Sequence, residues 1–236
     1  LPAGRKNTGG TFLRNHSFLT ALLGILGAVL FTLCLALSAF MASAVSGKLY
    51  YKTQVQLEID PGIDRAAMEK LDNALGAYLS GDAHALDSVS EFNAREKAHM
   101  QDVYALFSLG RRVMALLGVS GLALLALGFC FAPRRRRFLR VSALGSALTL
   151  ALAAGALALW AARDFGYAFS VLHHILFNND LWLLNPETDL MIRMLPEEFF
   201  AALARVLGLR SALAALAAPL ALWCFSGDLF LQSKGR

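Results

Sequence analysis

Five histidines are available for acid–base chemistry: His16, His84, His99, His173 and His174. His16 lies in a basic leader and carries no partner set. His84 sits in the Gly/Asp-rich GDAHALD, where a solvated side chain is expected. His99 is different. In NAREKAHMQD, Arg95 and His99 are spaced i, i+4, while Glu96–His99 and His99–Asp102 are spaced i, i+3, so on a helix an acid lies within reach of the imidazole. A carboxylate on one ring nitrogen fixes the tautomer and raises the basicity of the other. His173 and His174 are adjacent, so they point different ways on a helix or a strand, and at most one faces a given pocket. Asn178, Asn179, Asp180 and Trp182 follow closely, then Asp189. The blander readings are a solvated surface histidine at 99 and an interfacial loop at 173–189 that satisfies its own backbone.

Other chemistries fail on inventory. There is no GxSxG elbow, no HExxH, no glycine-rich phosphate loop after a strand and no cysteine in a polar loop. What remains is histidines with acids, amides and arginines. That set supplies proton transfer and oxyanion stabilisation without a protein nucleophile. It suits an acyl transfer in which the substrate brings its own nucleophile, with Arg95, Asn179 or the second histidine as oxyanion donor. No cofactor or metal is called for.

These residues must be held by a membrane protein. Of 236 residues, 57% are hydrophobic and the mean hydropathy is +0.53, above the soluble range. Four apolar runs read as spans of about 20 residues or more: 18–45, 113–132, 141–162 and 206–225, the last with Arg210 near one end. The first is too long for a signal-peptide core and is taken as retained. LPAGRKNTGG, without an initiating Met, reads as in part a cloning remnant. Gly145, Ser146, Ala153, Ala154 and Gly155 would let the third span pack closely. Cys34, Cys130 and Cys224 all fall inside apolar runs, which excludes a disulfide framework and reads as buried small apolar residues.

Residues 46–112 form a polar segment leading into the second span; 46–110 holds ten acids. LYYKTQVQLEI alternates with period two and predicts a short strand, so the segment reads as α/β. Residues 64–80 place Met68, Leu71, Leu75 and Leu79 on one face of an amphipathic helix, to be covered by protein or by the bilayer surface. Asn93 with Glu96 resembles a capping box, and the helix it starts is expected to run unbroken into 113–132. Residues 163–205 form the second polar segment, re-entrant or interfacial.

Charge orients the chain. The formal net charge is +5. The N-terminal 1–17 (Arg5, Lys6, Arg14), the loop 133–140 with five arginines and the tail 226–236 (Lys234, Arg236) fall on one side, expected to be cytoplasmic. Both polar segments then face outward. Basic residues beside apolar runs suit anionic lipid, and no nucleic-acid partner is expected. The expected fold is an all-α four-helix membrane bundle, N-in and C-in.

Two stretches carry a resemblance. FNAREKAHMQDV (92–103) and HHILFNNDLWLLNPETDLMIRMLPEEFF (173–200) are similar to the paired signatures of a bacterial family of four-span proteins, the lipoprotein intramolecular transacylases. The likeness covers nearly the whole chain. It implies His99 and His173 as the catalytic pair, with Asn93, Arg95, Glu96, Asp102, Asn179, Asp180, Trp182, Asp189 and Arg210 in support. His174, Leu172, Asn178 and Leu190 depart from the commonest family residues.

The reaction the resemblance implies moves the sn-2 acyl chain of a diacylglyceryl-cysteine onto the α-amino group of the same cysteine. The product is a lyso-form lipoprotein. The expected partners are a diacylated bacterial lipoprotein and membrane lipids, the expected state a monomer in the bacterial cell membrane. A small transporter lined by Arg210 and the histidines is the competing class, against which the spans are almost empty of polar residues. A membrane scaffold is the third, and it has no use for titratable groups at interfacial depth.

Overall fold

The structure, a computed structural model, describes residues 8–234, with side chains described for 18–227. The N-terminal basic residues Arg5, Lys6 and Arg14 and the tail residues Lys234 and Arg236, on which part of the charge orientation rests, lie outside the described side chains. The described chain is helical: α1 (Thr8–Ala44), α2 (Gly47–Gln56), α3 (Arg65–Ser80), α4 (Ala94–Phe131), α5 (Arg135–Arg163), α6 (Phe165–Leu176), α7 (Leu190–Met194) and α8 (Glu197–Lys234). Four of these are long and apolar enough to cross a membrane: Phe18–Ala44, Ala94–Phe131, Arg135–Arg163 and Glu197–Gly227. The chain is a multi-pass membrane protein.

Length explains why polar chemistry rides on spanning helices. α4 has 38 residues; at about 1.5 Å per residue it is roughly twice as long as the ~30 Å hydrocarbon layer. All its charges (Arg95, Glu96, Lys97, Asp102, Arg111, Arg112) lie in its first half, and from Val113 to Phe131 it has none. The basic connection expected at 133–140 is shorter than a loop: α5 begins at Arg135, so most of its arginines belong to the first turns of a helix.

The chain divides into two compact units. One comprises the described parts of 1–36, 114–154 and 213–236. Here a Cβ on Gly27 would come within 2.8 Å of the Leu125 backbone nitrogen, so α1 and α4 meet backbone to backbone. Gly145 packs on Ile25 and Ser146 is buried. Ala153, Ala154 and Gly155, expected in the same close packing, are exposed. The guanidinium of Arg135 lies 4.9 Å over Phe129, and that of Arg140 lies 5.1 Å over Trp223. Cys130 and Cys224 are exposed and Cys34 half-buried, not core residues as read from the sequence, and no disulfide occurs among the described residues.

The other unit comprises 37–113 and 155–212. Its core gathers Tyr50, Met68, Leu71, Leu75, Met100, Met191, Met194 and Phe199. The amphipathic reading of 64–80 holds: Met68, Leu71, Leu75 and Leu79 are all buried, against protein. Asp64 caps this helix by accepting from Ala67 N–H at 2.8 Å.

The strand expected over LYYKTQVQLEI is instead the helix α2, and no strand occurs among the described residues. Ser46 caps it by accepting from Leu49 N–H. Its buried residues, Gly47, Tyr50, Thr53 and Gln54, recur at helical spacing. Two of those are polar, so a count of apolar positions saw alternation where the packed stripe has a period near 3.6. Gly47 and Gly76 allow α2 and α3 to meet: a Cβ on Gly76 would lie 2.5 Å from the Val45 carbonyl oxygen.

Candidate active site

The first turn of α4 is the anchor. Asn93 Oδ1 accepts from Glu96 N–H at 3.0 Å, and Glu96 Oε2 accepts from Asn93 N–H at 2.7 Å, a reciprocal capping box. Both residues also reach the distant segment. Asn93 Nδ2 donates to Asp189 Oδ1 at 2.7 Å, and Met191 N–H donates to Glu96 Oε1. Asp189 in turn accepts from Asn185 N–H at 2.7 Å and from the Thr188 hydroxyl at 3.0 Å. Burial opposes ionisation of Asp189. The hydrogen bonds from Asn185, Asn93 and Thr188, with nearby Arg95, outweigh it and hold the carboxyl below its usual range.

One turn further along α4 stands His99, buried at 9% exposure. Its ring faces His173 with centroids 6.5 Å apart. His173 lies in the last turn of α6, a helix capped at its start by Asp164, which accepts from Tyr167 N–H at 2.9 Å. Phe177, the residue after that helix, contacts both rings, 5.3 Å from His99 and 5.6 Å from His173. Phe169 at 4.1 Å and Trp182 at 4.8 Å complete an aromatic wall around His173. Burial by this wall is the main cause that lowers the His173 pKa. The Phe169 carbonyl works against it and the neighbouring His174 with it.

The hydrogen bonds assign tautomers. His173 Nδ1 lies 2.7 Å from the Phe169 carbonyl oxygen. A carbonyl only accepts, so Nδ1 carries the proton and the neutral ring presents a lone pair at Nε2. For His99 the logic inverts. Its Nδ1 is sealed from solvent and has no hydrogen-bond partner. A buried N–H without an acceptor is rarer in native structures than an unshared lone pair, so the neutral ring carries its proton on Nε2. The two imidazoles are complementary, one an acceptor and one a donor.

His174 also donates from Nδ1, to the Ser170 carbonyl at 2.8 Å, but its ring is exposed and packs on the edge of Trp182. Of the adjacent pair, His173 is therefore the one that meets His99. His84 is solvated, as its loop implied, and its Nδ1 lies 2.8 Å from the Asp87 carboxylate.

The acids expected to hold His99 do not. Asp102 Oδ2 accepts from Asn179 Nδ2 at 2.9 Å, and Glu96 is taken up by two backbone N–H groups. Backbone donors at helix starts must find acceptors, and they claim the nearest carboxylate. Asn179 is committed on both sides, its Oδ1 accepting from Leu181 N–H at 3.0 Å. Arg95, read as an oxyanion donor, instead donates from Nη2 to the carbonyls of Asp180 and Leu183, the latter at 3.2 Å. Asp180 thus contributes its backbone. Arg210 donates to Ser43 Oγ at 3.1 Å, apart from the histidine network. Phe169 and Phe177 were not singled out in the sequence; apolar residues in an apolar stretch carry no local signal. No cluster of three metal-ligating side chains is present among the described residues.

The arrangement sets two imidazoles against a floor of aromatic rings, with Asn93, Arg95, Glu96 and Asn179 engaged in hydrogen bonds around them. Such a pair can take up a proton at one ring and donate a hydrogen bond from the other.

Comparison with known proteins bears on the fold and the family. Among curated proteins none matches the chain. The fold is similar to the solved structure of the membrane-integral lipoprotein intramolecular transacylase Lit from Bacillus cereus, at 22% identity and a TM-score of 0.65, covering 96% of this chain and all of that one (100%). It is also similar to two variants of that protein. The variant with a histidine replaced by arginine gives 21% identity and a TM-score of 0.70, covering 96% and 99% of the two chains. The variant with a histidine replaced by alanine gives 21% and 0.69, covering 96% and 100%. Residues 24–200, most of the chain and all of the histidine site, match the family model described as lipoprotein intramolecular transacylase Lit, and the chain belongs to that family.

Proposed function

We propose that the protein moves the sn-2 acyl chain of a lipoprotein's diacylglyceryl-cysteine to the α-amino group of the same cysteine, with His173 as the base and His99 as the oxyanion donor. The observation that carries this reading is the meeting of His99 and His173, from elements 74 positions apart in sequence, with the His173 proton held on Nδ1 by the Phe169 carbonyl.

The nucleophile is the substrate's own amine, with a pKa near 7.7–8.0 in model peptides. His173 Nε2 takes the proton from that amine as it attacks the sn-2 ester carbonyl. Attack closes a ring through N, Cα, Cβ, S, two glyceryl carbons, the ester oxygen and the carbonyl carbon. The His99 Nε2–H donates to the developing oxyanion. On collapse the C–O bond to the glyceryl oxygen breaks, the C–N amide bond remains, and His173 returns the proton to the departing alkoxide. No acyl-enzyme forms, because donor and acceptor lie on one molecule and the site needs only to orient them and exclude water.

The aromatic wall supports that exclusion. The exposed apolar residues of α6 and its following loop, Tyr167, Leu172, Ile175, Leu176 and Leu183, would face lipid. The five arginines at 134–140 favour a cytoplasmic position for the α4–α5 connection, with the histidines on the extracytoplasmic face of the cell membrane. The protein works as a monomer on a diacylated lipoprotein.

The test is direct. His99→Ala, His173→Ala and His174→Ala are expressed in a strain lacking the activity, and lipoprotein N-termini are read by mass spectrometry. Loss of the lyso form in the first two and its retention in the third is expected. Wild-type levels of lyso form in either of the first two would overturn the assignment.

A further inference from the structure

Away from the histidines, the unit of 37–113 and 155–212 buries a second polar cluster that the proposed reaction does not use. Gln54 on α2 and Asp72 on α3 are both fully buried, at 0% exposure. Gln54 Nε2 donates to Asp72 Oδ1 and to the Met194 carbonyl, each at 3.1 Å. The Met194 carbonyl can only accept, which fixes which end of the amide is nitrogen. Two oxygens are then left over: Gln54 Oε1 and Asp72 Oδ2 are both buried and have no partner. An ionised Asp72 leaves both so, since neither atom has a proton to offer. One proton on Oδ2 supplies the single donor that is missing.

We propose that Asp72 is held as the neutral acid and pairs reciprocally with the Gln54 amide, Nε2–H to Oδ1 and Oδ2–H to Oε1, and that this pair positions α7 against the start of α4. The surroundings favour the neutral acid. The charged neighbour on its own helix is Glu69, a like charge; α2 presents the buried Tyr50 hydroxyl, and α7 presents only the Met194 carbonyl through Gln54. No ion pair to Asp72 occurs among the described residues. Burial is the main cause that raises its pKa to about 7, opposed by the Gln54 bond and aided by Glu69. Through Gln54 the pair holds Met194, the last residue of α7, while Met191 of the same helix donates to Glu96 in the first turn of α4. Asp72 and Gln54 are thus positioning residues two links from His99.

Linkage sets the sign. From pH 3.8, the ordinary value, up to about 7, the folded chain keeps a proton that the unfolded chain has released. Stability therefore falls as pH rises through that window and levels off above it.

The experiment measures thermal unfolding of the full chain in detergent from about pH 4 to 8, with infrared spectra near pH 6. The Asp72 titration should cost wild type on the order of 5 °C of Tm over the window, against the opposite contribution of His173, which both wild type and the Asp72 variants share. Asp72→Asn offers Gln54 the same donor–acceptor pattern without a titratable proton. It should fold, lose that slope and match or exceed wild type at pH 8, while Asp72→Ala is less stable throughout. The spectrum of wild type minus Asp72→Asn should hold a carboxylic C=O band. An Asp72→Asn protein that keeps the wild-type slope, or is as unstable as Asp72→Ala, or a spectrum without that band, overturns the proposal. None of these readouts depends on the acyl-transfer reaction.

Discussion

Asn93 Nδ2 donates to Asp189 Oδ1 at 2.7 Å, joining residues 96 positions apart. The bond ties the N-cap of α4 to the N-cap of α7, and so ties the two stretches that carry the histidines. Asn93→Ala removes a cap and a charge-assisted hydrogen bond, and should lower stability by about 1–2 kcal/mol. The depressed Asp189 pKa gives the bond a pH dependence. Its contribution is present above the ordinary carboxylate range, near 4, and is lost on further acidification. Thermal unfolding of wild type and Asn93→Ala at pH about 7 and about 3 should show the difference between them shrink at the lower pH.

Truncating either ring of the pair should cost the most activity. His173→Ala and His99→Ala are each expected to lower kcat by about 10²–10⁴-fold, the usual range for a positioned acid–base or oxyanion group. His174→Ala should stay within a few-fold of wild type. Turnover of a purified diacylated lipopeptide gives these numbers directly.

The lowered His173 pKa predicts where activity fails on acidification. A base must be unprotonated, and the aromatic wall keeps His173 so below the ordinary histidine value of about 6.5. The acid limb of kcat against pH should bend below that value. Trp182→Ala opens the wall to water and should move the bend upward, toward 6.5. An unmoved bend would show that desolvation by Trp182 is not what depresses the pKa.

Arg95 predicts a loss that is not electrostatic. Its Nη2 holds the carbonyls of Asp180 and Leu183, and with them the loop that carries Trp182. Arg95→Lys keeps the charge but not the reach, and should lower kcat about 10-fold or more through misplacement. The unfolding temperature should change little. If the lysine variant retains full activity, the charge alone matters.

Two glycines separate close packing from open space. Gly76→Ala places a Cβ against the Val45 carbonyl oxygen, a backbone atom that cannot step aside. It should destabilise the unit that holds α2 and α3 by about 1–3 kcal/mol. Gly155→Ala meets nothing within 4 Å and should be neutral or stabilising, because alanine is the better helix former. Paired thermal unfolding checks both.

Much of this was legible where the signal is local. Asn93 and Glu96 sit three residues apart at a helix start, and the capping box follows from that spacing. The stripe of Met68, Leu71, Leu75 and Leu79 is likewise complete within one helix. The four spans declare themselves by length. Failures came where distant residues compete. Spacing put Asp102 within reach of His99 but could not reveal that Asn179, 77 positions on, would claim it. The strand expected at 49–59 failed because half of the buried stripe of α2, Thr53 and Gln54, is polar, and the burial of Gln54 depends on Asp72 and Met194 elsewhere in the chain. His173 could be separated from His174 only by the family's pattern, until the rings themselves showed which one faces His99.

The His173 tautomer is held by a carbonyl of its own helix, four residues back, with no carboxylate behind it. On the proposed mechanism this leaves a single working nitrogen, which takes the proton and gives it back. Such a site has no built-in direction. By microscopic reversibility it lowers the barrier equally for acyl migration from oxygen to nitrogen and from nitrogen to oxygen. The outcome is then set by the substrate: an amide is more stable than the ester it replaces, and the reaction runs to the N-acyl product because of that difference alone. On that mechanism the protein would act as an equilibrator, with the thermodynamics of the cysteine's own two functional groups supplying the drive.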